Sequence, residues 1–282
     1  MNINRTCRCW QLFVVLTLVL TACGSVDTEF EVDVLNSYTP IKNQGRSQTC
    51  WAYAMLSAIE TEHIMRGDSV HLSVAFVEKA IEQDERMPKK KRGMGMTLVN
   101  MIQKYGLVPY EAMRDTLVPL PRMAFMLGAQ YTLQEFARSV CAPGEYIGVG
   151  CDSRQPPFVM YEPQLPDNWE HNRLLNLTQD SLVALTAKAV GMHRGVCWEG
   201  DISEYGFSWK KGVALPSLIN GSTTDDHCMA IVGLAHDRDG ARYFIMKNSW
   251  GRGNRFRGLL FMHEDYFRQK TIAVYLPRGV TF

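Results

Sequence analysis

The sequence predicts an α+β fold of two packed units with a cleft between them. Three observations carry this. In the first half, apolar residues recur at helical spacing: Ala52, Met55, Leu56 and Ile59, then Val74, Val77, Ala80 and Ile81. After residue 195 the pattern changes to short β-rich runs at 196–198, 229–234, 242–246, 259–262 and 272–276, separated by turn residues. The chain has 282 residues and 46% hydrophobic content, enough for a sizeable core. A net charge of +1 gives no reason to expect a nucleic-acid partner.

The first residues read as an address rather than as fold. Arg5 and Arg8 precede an apolar run at 12–20, and Leu20-Thr21-Ala22-Cys23 closes it. A run this short is a signal core, not a membrane span, so residues 1–22 are expected to be removed. Leu-Thr-Ala-Cys resembles the bacterial lipobox. That resemblance implies cleavage before Cys23, acylation of Cys23 and anchoring on the non-cytoplasmic side of a membrane in the cell envelope. Residues 23–37 are then a tether and 38–282 the folded domain. In an oxidising compartment Cys141 and Cys151, which bracket a Gly/Pro-rich loop, are candidates for pairing, which spacing alone does not test. No CxxC or HExxH occurs, so neither metal nor cofactor is expected.

In chain order, the residues after Cys50 predict a helix to about Met65, where Arg66-Gly67-Asp68 ends it. Ser73 caps a second helix through about Gln83. The run Lys89-Lys90-Lys91-Arg92 reads as a solvated loop. Gly93-Met94-Gly95 leads into a third helix over 96–104, closed by Gly106. A helical half therefore covers about 43–130. Prolines at 109, 119, 121, 143, 156, 157, 163 and 166 make 108–176 read as an irregular insert, with one short helix announced by the capping box Thr132…Glu135. Residues 177–192 return to helical period, and a strand-rich half covers about 177–282. Asp239-Gly240 signals a hairpin within it.

Three stretches carry chemistry. Cys50 follows the polar loop 43–49 and opens an apolar helix. At a helix N-terminus, free N–H groups and the macrodipole favour a thiolate. A small buried cysteine is the plainer alternative. A nucleophilic thiol needs a base, and the base needs an orienting group. Of the seven histidines, His227 alone opens an apolar strand directly after a polar loop. Lys247-Asn248-Ser249-Trp250-Gly251 then closes a β-run. An Asn248 carbonyl could fix one imidazole nitrogen and aim the other at sulfur, with Trp250 shielding the bond.

Gln44…Cys50-Trp51, His227 and Asn248-Ser249-Trp250-Gly251 together resemble the papain-like cysteine peptidases. Further stretches resemble the bleomycin hydrolase/aminopeptidase C branch. These are Gly93 with Leu98-Val99-Asn100, Lys104-Tyr105-Gly106-Leu107-Val108-Pro109, Glu145-Tyr146-Ile147-Gly148, Pro166-Asp167-Asn168-Trp169 and Trp198-Glu199-Gly200-Asp201. The resemblance implies a two-subdomain papain-like fold with a barrel-like strand half. It implies a Cys50–His227–Asn248 triad, an oxyanion hole from the Gln44 side chain and the Cys50 N–H, and peptide or protein as substrate. Gly93 and Met94, with Gln48 and Trp250, would line the substrate cleft.

The match has departures. Gln48 stands where the family usually has glycine, which puts the preference beside the scissile bond in question. With Cys50 only 27 positions after Cys23, no inhibitory prodomain is expected. The tail at 278–282 leaves little chain for the C-terminal arm by which members of the branch select free N-termini. An aminopeptidase is favoured over a papain-like endopeptidase. A catalytically silent, peptide-binding surface lipoprotein is the alternative from another class, and a transglutaminase-like acyl transferase a weaker one. Oligomeric state and natural substrate are not encoded in any motif.

Overall fold

The computed structural model describes residues 29–216 and 223–280, so the signal segment and Cys23 lie outside the described residues. The chain opens with β1 (Phe30–Leu35), followed by α1 (Cys50–Met65), α2 (Val74–Ile81) and α3 (Gly95–Tyr105). A hairpin of β2 (Met123–Met126) and β3 (Ala129–Thr132) leads into α4 (Leu133–Val140). Then come β4 (Tyr146–Gly150), β5 (Met160–Tyr161), β6 (Leu174–Asn176) and α5 (Gln179–Gly191). The last part holds β7 (Val196–Gly200), β8 (Phe207–Ser208), β9 (Val213–Ala214), β10 (His227–Asp237), β11 (Arg242–Lys247), β12 (Leu259–His263), α6 (Glu264–Lys270) and β13 (Thr271–Pro277).

The predicted caps hold. The Ser73 hydroxyl accepts from Phe76 N, and Thr132 and Glu135 form a reciprocal capping box on α4. Helix α1 is the central helix. Residues on all its faces are buried, including Ser57, Glu60 and Glu62, because α2 and α3 pack on one side and β7 and β10 on the other. One core gathers α1, α2, α3 and α4. A second fills the space between α5, α6 and the sheet.

The main sheet runs β5-β6-β4-β13-β7-β10-β11-β12-β9-β8, with β1 added on β10. Strand β10 is its spine. Its first residues pair with β7, from His227 opposite Gly200 to Ile231 opposite Val196. Its last residues pair with β1, and its other edge pairs with β11 through a register shift between Ile231 and Gly233.

Three expectations are corrected. The strand half is not a closed barrel. Two-residue strands β5 and β8 end the sheet at opposite sides, and among the described residues no ladder joins them. The insert at 108–176 is not irregular: β4, β5 and β6 belong to the main sheet. Prolines cut these strands too short for a periodic signal. Residues 30–35, assigned to the tether, form β1.

A buried carboxylate ties these layers together. Glu60 on α1 is fully buried, accepts from Lys42 Nζ at 2.9 Å and from Leu72 N at 2.8 Å, and also bonds the Thr39 hydroxyl. Lys247 Nζ in turn donates to Thr39 Oγ1 at 2.9 Å and Ser57 Oγ at 2.7 Å. Burial draws Lys247 down to about 8, opposed by the Glu60 charge. Removing one member leaves the other charges uncompensated in a dry site. Glu60→Ala is expected to lower unfolding stability by about 3–5 kcal/mol, read from the midpoint of urea denaturation.

Candidate active site

The loop before α1 is organised from outside. Ser47 Oγ and Thr49 Oγ1 both donate to Glu78 Oε1, at 2.8 and 2.7 Å. The Thr49 hydroxyl is thereby turned away from the helix it precedes and makes no side-chain cap. The first turn of α1 holds no acidic residue. Its N–H groups are left to stabilise an anion, and the first residue of the helix is Cys50.

His227 begins β10 and is almost fully buried. Its Nε2 donates to Asn248 Oδ1 at 2.8 Å. That bond leaves the other ring nitrogen for Cys50, to which His227 is hydrogen-bonded. Asn248 cannot swing freely. Its backbone N–H donates to Gly258 O at 3.1 Å, and its Oδ1 also accepts from Ser249 N at 2.7 Å. Trp250 lies against the imidazole, ring centroids 4.7 Å apart, and is braced edge-on by Trp209 and Phe207.

Gln44 joins the two halves of the site. Its backbone N–H donates to Ser249 O at 2.8 Å, and its Oε1 accepts from Ser249 Oγ at 2.6 Å. Its Nε2 donates to Ser47 O at 2.8 Å, within the loop that ends at Cys50. The structure thus brings Gln44, Cys50, His227, Asn248 and Trp250 together. Gln48 is exposed on the loop just before Cys50. Gly93 is buried, and a Cβ there would meet Thr97 Cγ2 at 3.1 Å. Met94 is fully buried among the helical core residues, so its side chain offers no surface to a cleft.

A second thiol belongs to this centre, at the residue directly after His227. Cys228 is buried and its S–H is hydrogen-bonded to the Cys50 sulfur. That bond is the leading cause holding the half-buried Cys50 well below the ordinary thiol range. The His227 hydrogen bond and charge act in the same direction, against desolvation. Burial drives Cys228 the other way, so it stays a donor. The available signal was its adjacency to His227. Glu78 was also missed, since nothing in sequence links it to residues 47–49. Cys141 and Cys151 are both free thiols.

Residues 168–275 match the model of the papain family cysteine proteases. Ananain of Ananas comosus is 22% identical over 220 residues, covering 76% of this chain and 49% of ananain. The thiol protease SEN102 of Hemerocallis is 26% identical over 218 residues, covering 76% of this chain and 48% of that protein. This chain thus spans about half the length of the curated relatives it matches. Among solved structures, PepW from Lactobacillus rhamnosis superposes with a TM-score of 0.71 at 15% identity, over 89% of this chain and 83% of PepW. The fold is papain-like.

The Cys228 hydrogen bond makes a measurable difference. The rate of iodoacetamide labelling at Cys50 is expected to rise at a higher pH in Cys228→Ala than in the wild type. An unchanged midpoint would remove Cys228 as the donor.

Proposed function

We propose that this chain is a cysteine peptidase that works through Cys50, His227, Asn248 and Gln44, and that it is an aminopeptidase of the bleomycin hydrolase/aminopeptidase C kind. The observation that carries the reading is the imidazole of His227 bonded on one side to Asn248 and on the other to a thiol at a helix N-terminus. Each part has a chemical task. The Cys50 thiolate attacks the scissile carbonyl. Negative charge then develops on the carbonyl oxygen, where the Cys50 N–H and the Gln44 amide would donate. The His227 imidazolium protonates the departing amine, leaving a thioester on Cys50. His227 next takes a proton from water, which attacks the thioester and releases the acid. Asn248 holds the ring in one orientation throughout, and Trp250 keeps water off the His227–Asn248 bond.

Other supports bear on address and substrate. The Leu20-Thr21-Ala22-Cys23 stretch supports a lipid anchor at Cys23 in the cell envelope. Gly93, whose missing side chain leaves backbone available, would pair with an extended peptide. Gln48 would edge the cleft beside the scissile bond.

The test is turnover of fluorogenic peptide amides. Cys50→Ala and His227→Ala are expected to lose more than about 10³-fold in kcat/KM, with Asn248→Ala losing less. Gln44→Ala is expected to lose about 10²–10³-fold, mostly in kcat. Full activity in Cys50→Ala would refute the peptidase and leave a peptide-binding lipoprotein. In a cell fractionation, Cys23→Ala should move the protein from the membrane to the soluble fraction, and membrane retention would refute the anchor.

A further inference from the structure

A cavity of about 410 Å³ lies beside the loop that leads to Cys50, and peptide hydrolysis as described makes no use of it. Its walls come from residues 40–43, from Tyr53 on α1, from α2 with His71 ahead of it, and from residues 110–116. Cys50, His227, Asn248 and Trp250 are not among them, so it is separate from the groups gathered around the sulfur. Its volume is that of a site for a small molecule.

Three polar groups on these walls are short of partners among the described residues. Glu78 spends Oε1 on the hydroxyls of Ser47 and Thr49, while its Oε2 receives no donor and the carboxylate has no ion pair. The hydroxyl of the half-buried Tyr53 makes no hydrogen bond. Burial and the nearby Glu78 charge hold it protonated. His71 Nε2 is hidden from solvent and has no partner. Polar atoms in such a state are usually satisfied by something bound.

The charges on the walls say what that would be. His71 stacks on Tyr110 with centroids 4.1 Å apart, and the Arg114 guanidinium lies 5.9 Å from the same ring. Arg114 is exposed and has no ion pair among the described residues. Lys42 also lies over Tyr110, but its Nζ is bonded to Glu60 Oε1 and Leu72 O. Asp115 Oδ1 is occupied by the Leu117 N–H at 2.8 Å. One uncompensated carboxylate, Glu78, and one uncompensated guanidinium, Arg114, remain. Pro40, Ile41, Val74 and Ala75 supply apolar wall. A simple anion would be repelled by Glu78 and a simple cation by Arg114, whereas a zwitterion with an apolar body satisfies both.

We infer that this cavity binds a free amino acid or dipeptide with an apolar side chain, its ammonium at Glu78 and its carboxylate at Arg114. The ammonium brings three donors, of which Glu78 Oε2 and the Tyr53 oxygen can each accept one. The guanidinium offers the carboxylate a planar fork. The site goes beyond the peptidase reading and does not depend on it, although such zwitterions are what peptide hydrolysis releases. It also has a line to the nucleophile. Glu78 holds Ser47 and Thr49 through its other oxygen, so an occupant that fixes the carboxylate steadies the loop ending at Cys50.

The experiment is titration calorimetry on the whole protein, with Cys50 blocked by iodoacetamide so that no probe is turned over. The probes are leucine, the dipeptide Leu-Leu, leucinamide, which lacks the carboxylate, and N-acetyl-leucine, which lacks the ammonium. The tighter of leucine and Leu-Leu shows which zwitterion fits, and it should bind at least about 10-fold more tightly than either probe missing a charge. Arg114→Ala should erase the advantage over leucinamide, and Glu78→Gln the advantage over N-acetyl-leucine. Arg114 is exposed, so that variant serves if Glu78→Gln fails to fold. No binding of either zwitterion at millimolar concentration overturns the inference. So does equal binding of leucine and N-acetyl-leucine, the mark of a simple anion site. Binding that survives unchanged in both variants places the ligand elsewhere, as in the groove at Cys50, and overturns it too. Failure to cleave peptide amides would refute the peptidase and leave this binding result untouched.

Discussion

One buried carboxylate fixes the relative positions of three chain segments that are far apart in sequence. Glu60 belongs to the helix that Cys50 begins. It binds Lys42, two residues before Gln44, and through Thr39 it reaches Lys247, the residue before Asn248. Gln44, Cys50 and Asn248 are therefore all referred to one point about three helical turns behind the site. Such a network is costly to bury, and hydrophobic side chains could fill the same space. What they could not supply is direction. Charged hydrogen bonds fix the rotation of α1 against β11, and the Cys50–His227–Asn248 alignment depends on that rotation.

The electrostatics at the sulfur are a balance of opposed effects. Desolvation and the Glu199 charge disfavour a thiolate at Cys50. The open helix end, the imidazole and the neighbouring Cys228 thiol favour it. A thiol donor is unusual in that it helps an anion without adding a formal charge. The site can hold a negative sulfur next to an acidic wall because its stabilising partners are short-range and directional, whereas the opposing charge acts through space.

Much of this was legible in the chain. Helices α1, α2 and α3 announced themselves by apolar spacing and by Ser73 and Gly106 at their ends, and β10 to β13 by apolar runs and the Asp239-Gly240 turn. Cys50, His227 and Asn248 stood out because each sits at the junction of a polar loop and an apolar element, where a reactive group is both held and reachable. What stayed hidden was cross-chain. Strand β1 alternates Glu31-Val32-Asp33-Val34 with mostly exposed side chains, and acquires its identity only by pairing with β10. Strands β4 and β6 are too short for a period. Glu199 and Asp225 are unremarkable in sequence, and only the β7–β10 register sets one beside the other. Met94, expected to line the cleft, is pointed into the core by the turn into α3.

The docking of β1 along the spine of the sheet also sets a distance. Phe30 lies seven positions after Cys23, and a fully extended chain of that many steps reaches no more than about 25 Å. If a lipid sits on Cys23, this is a leash scarcely longer than the radius of gyration, about 18 Å, of a domain this size. The proposed anchor would hold the domain against the bilayer instead of letting it sample the volume above it.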